Sequence, residues 1–262
     1  MPDQVKYNKL QGKQILIIGG SSGIGYAVAE ASLEAGATVT ISSSNPSRVD
    51  KAVSNLQSAY PSAKERVSGH ACNLGDESSL DSNIETLLKE TTKTGKLDHI
   101  IYTAGDSLAS MKLDTIDMAK VKQAGMVRFF GPLFVGKHAS KYLNAGPASS
   151  YTITTGAVSE KPIPDWSVVG SYATGLQGMT RQLALDLKPV RVNLVSPGAV
   201  ATELWQGVPE ERRQGLYKSF ADKMTTGVVG QPEDVAESYI YLMKDYNVSG
   251  SMVSTNGGHL LL

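Results

Sequence analysis

Two stretches of this chain hold the residue types that chemistry can use. In "GGSSGIGYAVAEASLEAGA" the glycines Gly19, Gly23 and Gly25 make a G-x-x-x-G-x-G turn, interleaved with Ser21, Ser22 and Ile24. A turn of that kind between a strand and a helix suits a pyrophosphate. Close backbone approach excludes a Cβ, and the helix N-terminus supplies N–H groups and a positive dipole end. In "VVGSYATGLQGMTRQLALDL" the phenol of Tyr172 is a group that could pass a proton, and four residues on stands Leu176. A tyrosine titrates near ~10, so donating at neutral pH takes a neighbouring cation that lowers its pKa. Where a helix would place that neighbour there is an aliphatic side chain. The chain therefore joins a nucleotide turn to a site short of an acid.

The end of the next apolar run, "TVTISSSNPSR", says which dinucleotide fits. An NAD site places Asp or Glu there to hold the ribose 2′-OH. Here stand Ser42, Ser43, Ser44 and Asn45, with Arg48 following. Hydroxyls and a guanidinium attract a 2′-phosphate that a carboxylate would repel, so the cofactor expected is NADPH/NADP+. Arg48 also reads as an ordinary solvated helix residue.

Short β-rich runs that alternate with helical patterns must position these groups. Strands are expected at "QILIIG", "TVTIS", "RVSGHA", "LDHIIYT", "SYTITT", "VRVNLVS" and "SMVST", and helices starting near Gly23, Ser47, Glu77, Asp114, Trp166 and Glu233. That alternation predicts βαβ units: an α/β, Rossmann-type doubly wound fold with a seven-stranded parallel sheet and helices on both faces. No repeat or linker divides the 262 residues, so residues 1–262 read as one domain. The longest weakly patterned part, residues 199–230, reads as a lid over substrate.

Composition excludes several classes. Net charge is zero and no Lys/Arg run stands out, so nothing supplies the phosphate neutralisation that nucleic-acid binding needs. No run approaches the roughly 18–20 apolar residues of a membrane span. The polar start "MPDQVKYNKLQGKQ" lacks an apolar leader core. One cysteine, Cys72, allows no internal disulfide, and four dispersed histidines give no zinc spacing. A cytoplasmic protein is expected.

With the glycine turn, "YTAG" after the fourth strand, "SPGAVAT" after the sixth and "GQPEDVAESYIYLM…VSGSMVSTNGG" near the C-terminus, the chain resembles the short-chain dehydrogenases/reductases over nearly its whole length. The resemblance implies that Ala104 and Gly105 sit beside the adenosine ribose. It also implies that Pro197, Gly198 and Thr202 hold the nicotinamide amide and pyrophosphate, and that Asn73 and Leu74 meet the adenine in place of the usual Asp. The leading Thr of the glycine motif is Ile18 here.

The catalytic half departs from that family. Its tyrosine helix runs into a pattern similar to "GMTRQLALDL", and counting back without gaps puts the family's Tyr at Val169 and its Lys at Ala173. The rival register makes Tyr172 the acid, but it deletes three residues inside a helix and rotates the rest by about 300°. In both registers the lysine is absent. The family's serine falls at Thr155 and its helix Asn at Arg128. On the pocket loop, "GAVSEKPIPDWSVV", stand Asp165 and Trp166. A carboxylate and an indole face beside a nicotinamide suit a cationic substrate, because reducing an iminium ion forms only a C–H bond. Asp165 also reads as the N-cap of a helix opening at Trp166.

Retained cofactor motifs, a missing Tyr/Lys pair, Arg128 in the Asn place and the Asp165–Trp166 segment are similar to degenerate fungal reductases of prenylated indole alkaloid pathways. That resemblance implies an NADPH-dependent reductase of an iminium-type, diketopiperazine-like indole precursor. The reduced product is then guided through an intramolecular 4+2 cycloaddition (Diels–Alderase activity), with Asp165 handling protons and Arg128 as its electrostatic partner. Three alternatives stay open: iminium reduction with Pictet–Spengler ring closure, a ketoreductase using Tyr172 unconventionally, and a non-catalytic NADPH sensor. The helices around "KVKQAGMVRFFGPLFVGKHASKYL" and Trp166–Leu187 carry more apolar residues than one face buries, which predicts a homodimer or homotetramer.

Overall fold

The computed structural model describes residues 6–262. The first five residues of the expected leaderless start lie outside them. Seven strands form one parallel sheet: β1 (Gln14–Ile18), β2 (Thr38–Ser43), β3 (Val67–Ala71), β4 (His99–Tyr102), β5 (Ser150–Thr154), β6 (Arg191–Pro197) and β7 (Met252–Thr255). Their order across the sheet is β3-β2-β1-β4-β5-β6-β7. Every strand coincides with an expected apolar run. The order reverses between β1 and β4, and in such sheets ligands bind at the carboxyl ends beside that switch.

Burial on both faces explains the near-continuous apolar strands. Within β1, Ile15 and Ile17 join a core with α1 (Gly23–Glu34), α2 (Pro46–Ala59) and α8 (Pro232–Lys244). Leu16 and Ile18 join the opposite core with α3 (Leu80–Thr91), α5 (Gly131–Tyr142) and α6 (Ser167–Asp186). Alternation along one strand thus feeds two helical layers.

Helix starts were legible where caps are strong. Asn45 caps α2, its Oδ1 accepting from the Arg48 N–H, with Pro46 next. Two expected starts move. Glu77 precedes α3 by a turn in which Asp76 binds Ser78 and Ser79. The stretch from Asp114 begins as one tight turn, and the helix α4 (Met118–Gly125) starts only after Asp117, whose side chain accepts from the Lys120 N–H. Between α4 and α5 the backbone widens into a π-helical turn, Met126–Phe130. The weakly patterned 199–230 is not irregular throughout. It contains a short turn, Glu203–Trp205, and α7 (Glu210–Ala221), none of whose residues is buried.

Among the described residues no helix is long and apolar enough to cross a membrane, and no group of His, Cys, Asp and Glu could hold a metal ion.

Candidate active site

The dinucleotide turn is closed on three sides. Gly19, in the left-handed region at φ 100, presses so close to β4's exit that a Cβ there would sit 2.4 Å from the Ala104 N. A Cβ on Gly25 would lie 2.3 Å from the Gly19 carbonyl. The turn is pinned to β2, since the Gly19 and Gly20 N–H groups both donate to the Ser42 carbonyl. Thr202 closes it from the lid side, its Cγ2 3.1 Å from where a Gly23 Cβ would be. Ser22 is the N-cap of α1 yet its side chain makes no cap hydrogen bond, so its hydroxyl and the first N–H groups of α1 remain for an anion. A cradle that Cβ atoms would fill, at a helix N-terminus beside Ala104 and Thr202, fits a nicotinamide dinucleotide, and Gly105, Pro197 and Gly198 lie at the carboxyl ends of β4 and β6.

At the end of β2 the expected hydroxyl set is corrected. Ser42 is fully buried with its Oγ unpartnered, so its carbonyl serves the turn and its hydroxyl does not reach a ligand. Ser44 and Arg48 are exposed and bonded to each other, Arg48 Nη2 donating to Ser44 Oγ at 3.2 Å, with Ser43 half-buried beside them. Asn73 is exposed, its Oδ1 accepting from the Gly75 N–H at 3.0 Å, which leaves its amide NH2 outward. Leu74 is buried, so only its backbone is available to an adenine.

On the catalytic side two contacts place α6. Thr155, just beyond β5, donates from Oγ1 to the Ala173 carbonyl at 2.8 Å, so the turn of α6 that carries Val169 and Ala173 meets the strand end. Tyr172 is turned elsewhere. Its ring lies 5.1 Å from that of Phe129, and its hydroxyl donates to the Val121 carbonyl of α4 at 3.1 Å. Gly125 makes room for that ring: a Cβ there would be 2.7 Å from Tyr172 Cζ. Burial raises the phenol's pKa, the wrong direction for an acid at neutral pH. Leu176 is in the core, 3% exposed.

The expected pairing of Arg128 with Asp165 is overturned. Arg128 leaves the π-helical turn toward the β4 exit, where Nε donates to Asp106 Oδ1 at 3.1 Å and Nη2 donates to the Asp106 carbonyl. Burial lowers the guanidinium pKa, and the Asp106 carboxylate opposes that shift. Asp165 is exposed, with no side-chain hydrogen bond among the described residues. It is not an N-cap either: α6 opens at Ser167, Trp166 is its cap residue without a cap bond, and Asp165 adopts φ 63. Trp166 is half-buried beside it. The residue missed in the sequence is Asp106. A partly buried guanidinium calls for a counter-charge, but which carboxylate it meets is set by how the loop after β4 folds back.

Comparison with known proteins agrees with this geometry. The model of the SDR-like Rossmann domain matches residues 6–262. A short-chain dehydrogenase/reductase, fsr5, of Gibberella fujikuroi is 47% identical over 259 residues, covering 97% of each chain. The solved MalC reductase/Diels-Alderase of Malbranchea aurantiaca is 39% identical, covers 98% of this chain and 99% of its own, and superposes with a TM-score of 0.92. A small-chain dehydrogenase solved with NADPH is 25% identical over 96% of this chain and all of its own, TM-score 0.73. The chain is an oxidoreductase-fold protein with a nicotinamide site, and it belongs to the short-chain dehydrogenase/reductase family.

Proposed function

We propose that the chain is an NADPH-dependent reductase of an iminium-type prenylated indole precursor, which it then holds for an intramolecular 4+2 cycloaddition. The observation that carries this reading is on α6, where Thr155 beyond β5 donates to the Ala173 carbonyl while the Tyr172 hydroxyl is bonded into α4. The bound cofactor supplies hydride. Adding hydride to a neutral carbonyl leaves an alkoxide that needs a proton near neutral pH, whereas adding it to an iminium gives a neutral amine. A site without its phenol suits the second case.

Each side chain then has a task. Asp165 offers an exposed carboxylate to the cation and a place for protons lost from the reduced product. Trp166 offers an aromatic face. Arg128 keeps Nη1 donors for a substrate carbonyl. Thr155 spends its hydroxyl on the Ala173 carbonyl, so it sets the position of α6. For the cycloaddition the site contributes shape, holding the diene and alkene in a near-attack arrangement. Support comes from the solved MalC reductase/Diels-Alderase that this chain resembles.

The cofactor reading rests on Ser43, Ser44 and Arg48 at the N-terminus of α2, where no carboxylate opposes a 2′-phosphate. Residues 199–230 serve as the lid: α7 buries nothing, and the segment is tied to itself by the Trp205 and Phe220 rings, 5.1 Å apart. A homodimer or homotetramer forms through α5 and α6, which leave Leu133 and Leu185 exposed. Sedimentation as a monomer would remove that assembly.

The test uses the NADPH-bound protein and an N-alkyl-3,4-dihydro-β-carbolinium salt as probe, following NADPH consumption. Turnover by the wild type, lost in Asp165→Ala and kept in Tyr172→Phe, is expected. Turnover of ketones that depends on Tyr172, or no turnover of any iminium, overturns the reading.

A further inference from the structure

The loop leaving β4 touches both sides of the substrate half. At one end Asp106 receives the Arg128 guanidinium through its carboxylate and its backbone carbonyl. Five residues on, the Met111 N–H donates to the Asp165 carbonyl at 3.1 Å. Asp165 is the non-glycine residue with positive φ among those described. Asp tolerates that region better than most residues, and the bond from Met111 fixes the peptide in place. Residues 106–111 therefore hold the guanidinium at one end and the carboxylate's backbone at the other.

The packing around Arg128 is specific. A Cβ on Gly105 would stand 2.8 Å from Nη1, 2.8 Å from Nη2 and 2.9 Å from Cζ. Three near-equal distances mean that the guanidinium presents its plane to Gly105. With Nε and one Nη2 proton on Asp106, the Nη1 pair has no hydrogen-bond partner among the described residues. A charge drawn out of water needs a counter-charge, and the partner it finds decides which of its edges is left over.

We infer that Asp106 is a positioning residue for the substrate half: by taking the Nε edge of Arg128 it leaves the Nη1 edge for a substrate acceptor. This rests on the reading of Arg128 and Asp165 given under Proposed function, and it narrows the substrate class. An Arg128–Asp165 pair would neutralise the carboxylate that a cation needs. With Asp106 as counter-ion the two charges act separately, which suits a substrate bearing both an iminium and a neutral carbonyl acceptor such as an amide. No bond is made or broken by Asp106.

The experiment compares Asp106→Ala, Asp106→Asn, Arg128→Ala and the Asp106→Ala/Arg128→Ala double variant in the NADPH-bound protein. In a crystal structure of Asp106→Ala with NADPH, the guanidinium is expected to leave its seat against Gly105. An Arg128 that stays in place overturns the inference whatever the activity shows. With the dihydro-β-carbolinium probe, Asp106→Ala should lower kcat about tenfold with a smaller change in KM. Asp106→Asn, which keeps the acceptor oxygen, should recover part of the loss. The double variant should be no worse than Arg128→Ala alone, since both act through one group. Full additivity, or wild-type kcat in Asp106→Ala, also overturns it. Absence of turnover in the wild type counts against the proposed function, and the crystal structure still decides the role of Asp106.

Discussion

The two halves of this site are built from different material. The pyrophosphate turn of the cofactor half is mainly backbone: Gly19 and Gly25 have no room for a Cβ, and peptide N–H donors at the start of α1 face the ligand beside the Ser22 hydroxyl. The substrate half is side chain: Arg128, Asp165 and Trp166 come from a π-helical turn and from a loop, and they are partly or fully exposed. A half made of peptide groups tolerates little change, because steric exclusion acts on every alternative residue. A half made of side chains can exchange its chemistry while the frame stands. Here Leu176 stands one helical turn beyond Tyr172 and the Tyr172 hydroxyl is spent on α4, while the sheet, helices and dinucleotide turn are intact.

The sharpest way to break this contrast is to place a side chain in the backbone half. Gly25→Val puts carbon atoms onto the Gly19 carbonyl. It should weaken NADPH binding a hundredfold or more, about 2.7 kcal/mol, in a fluorescence titration. A folded Gly25→Val variant that binds NADPH normally would remove the steric account. Next in size, Asp165→Asn should lower kcat on the iminium probe on the order of a hundredfold, the scale of a lost proton-handling group, with NADPH affinity unchanged. If affinity falls instead, the two halves are not separable as described. Arg48→Ala should cut the preference for NADPH over NADH by about tenfold, the loss of one charge-assisted contact at an exposed site. Equal loss toward both cofactors would mean that Arg48 does not meet the 2′-phosphate. Smallest is Tyr172→Phe. It gives up one hydrogen bond to α4, about 1 kcal/mol in urea unfolding, and should leave hydride transfer within roughly twofold. A large loss of turnover there would restore the ketoreductase reading.

The same contrast explains what the sequence discloses. The central strands were legible because a parallel sheet buried on both faces demands continuous apolar runs, the edge strands β3 and β7 by their place in the alternation, and the glycine turn because sterics dictate residue type. The register of α6 could be argued without coordinates, since a three-residue deletion would scramble its buried face. What stayed hidden was pairing. Nothing local distinguishes Asp106 from Asp165 as the partner of Arg128, because which carboxylate a guanidinium reaches depends on where a loop folds back. Asp165 as a helix cap failed for a similar reason, its peptide being held by Met111 from a distant part of the chain. Ser42 stands among other hydroxyls in sequence, yet strand alternation turns its side chain inward.

The widened turn at Met126–Phe130 decides how one wall of the pocket is seated. A π-helical turn is geometrically one extra residue lodged in an α-helix. Removing it would swing everything on one side by about 100° relative to the other, carrying the guanidinium away from the sheet edge. The same swing would lift Val135 and Ala139 of α5 out of the core. The extra residue is therefore what lets one stretch of chain seat its core face and still aim Arg128 at the β4 exit.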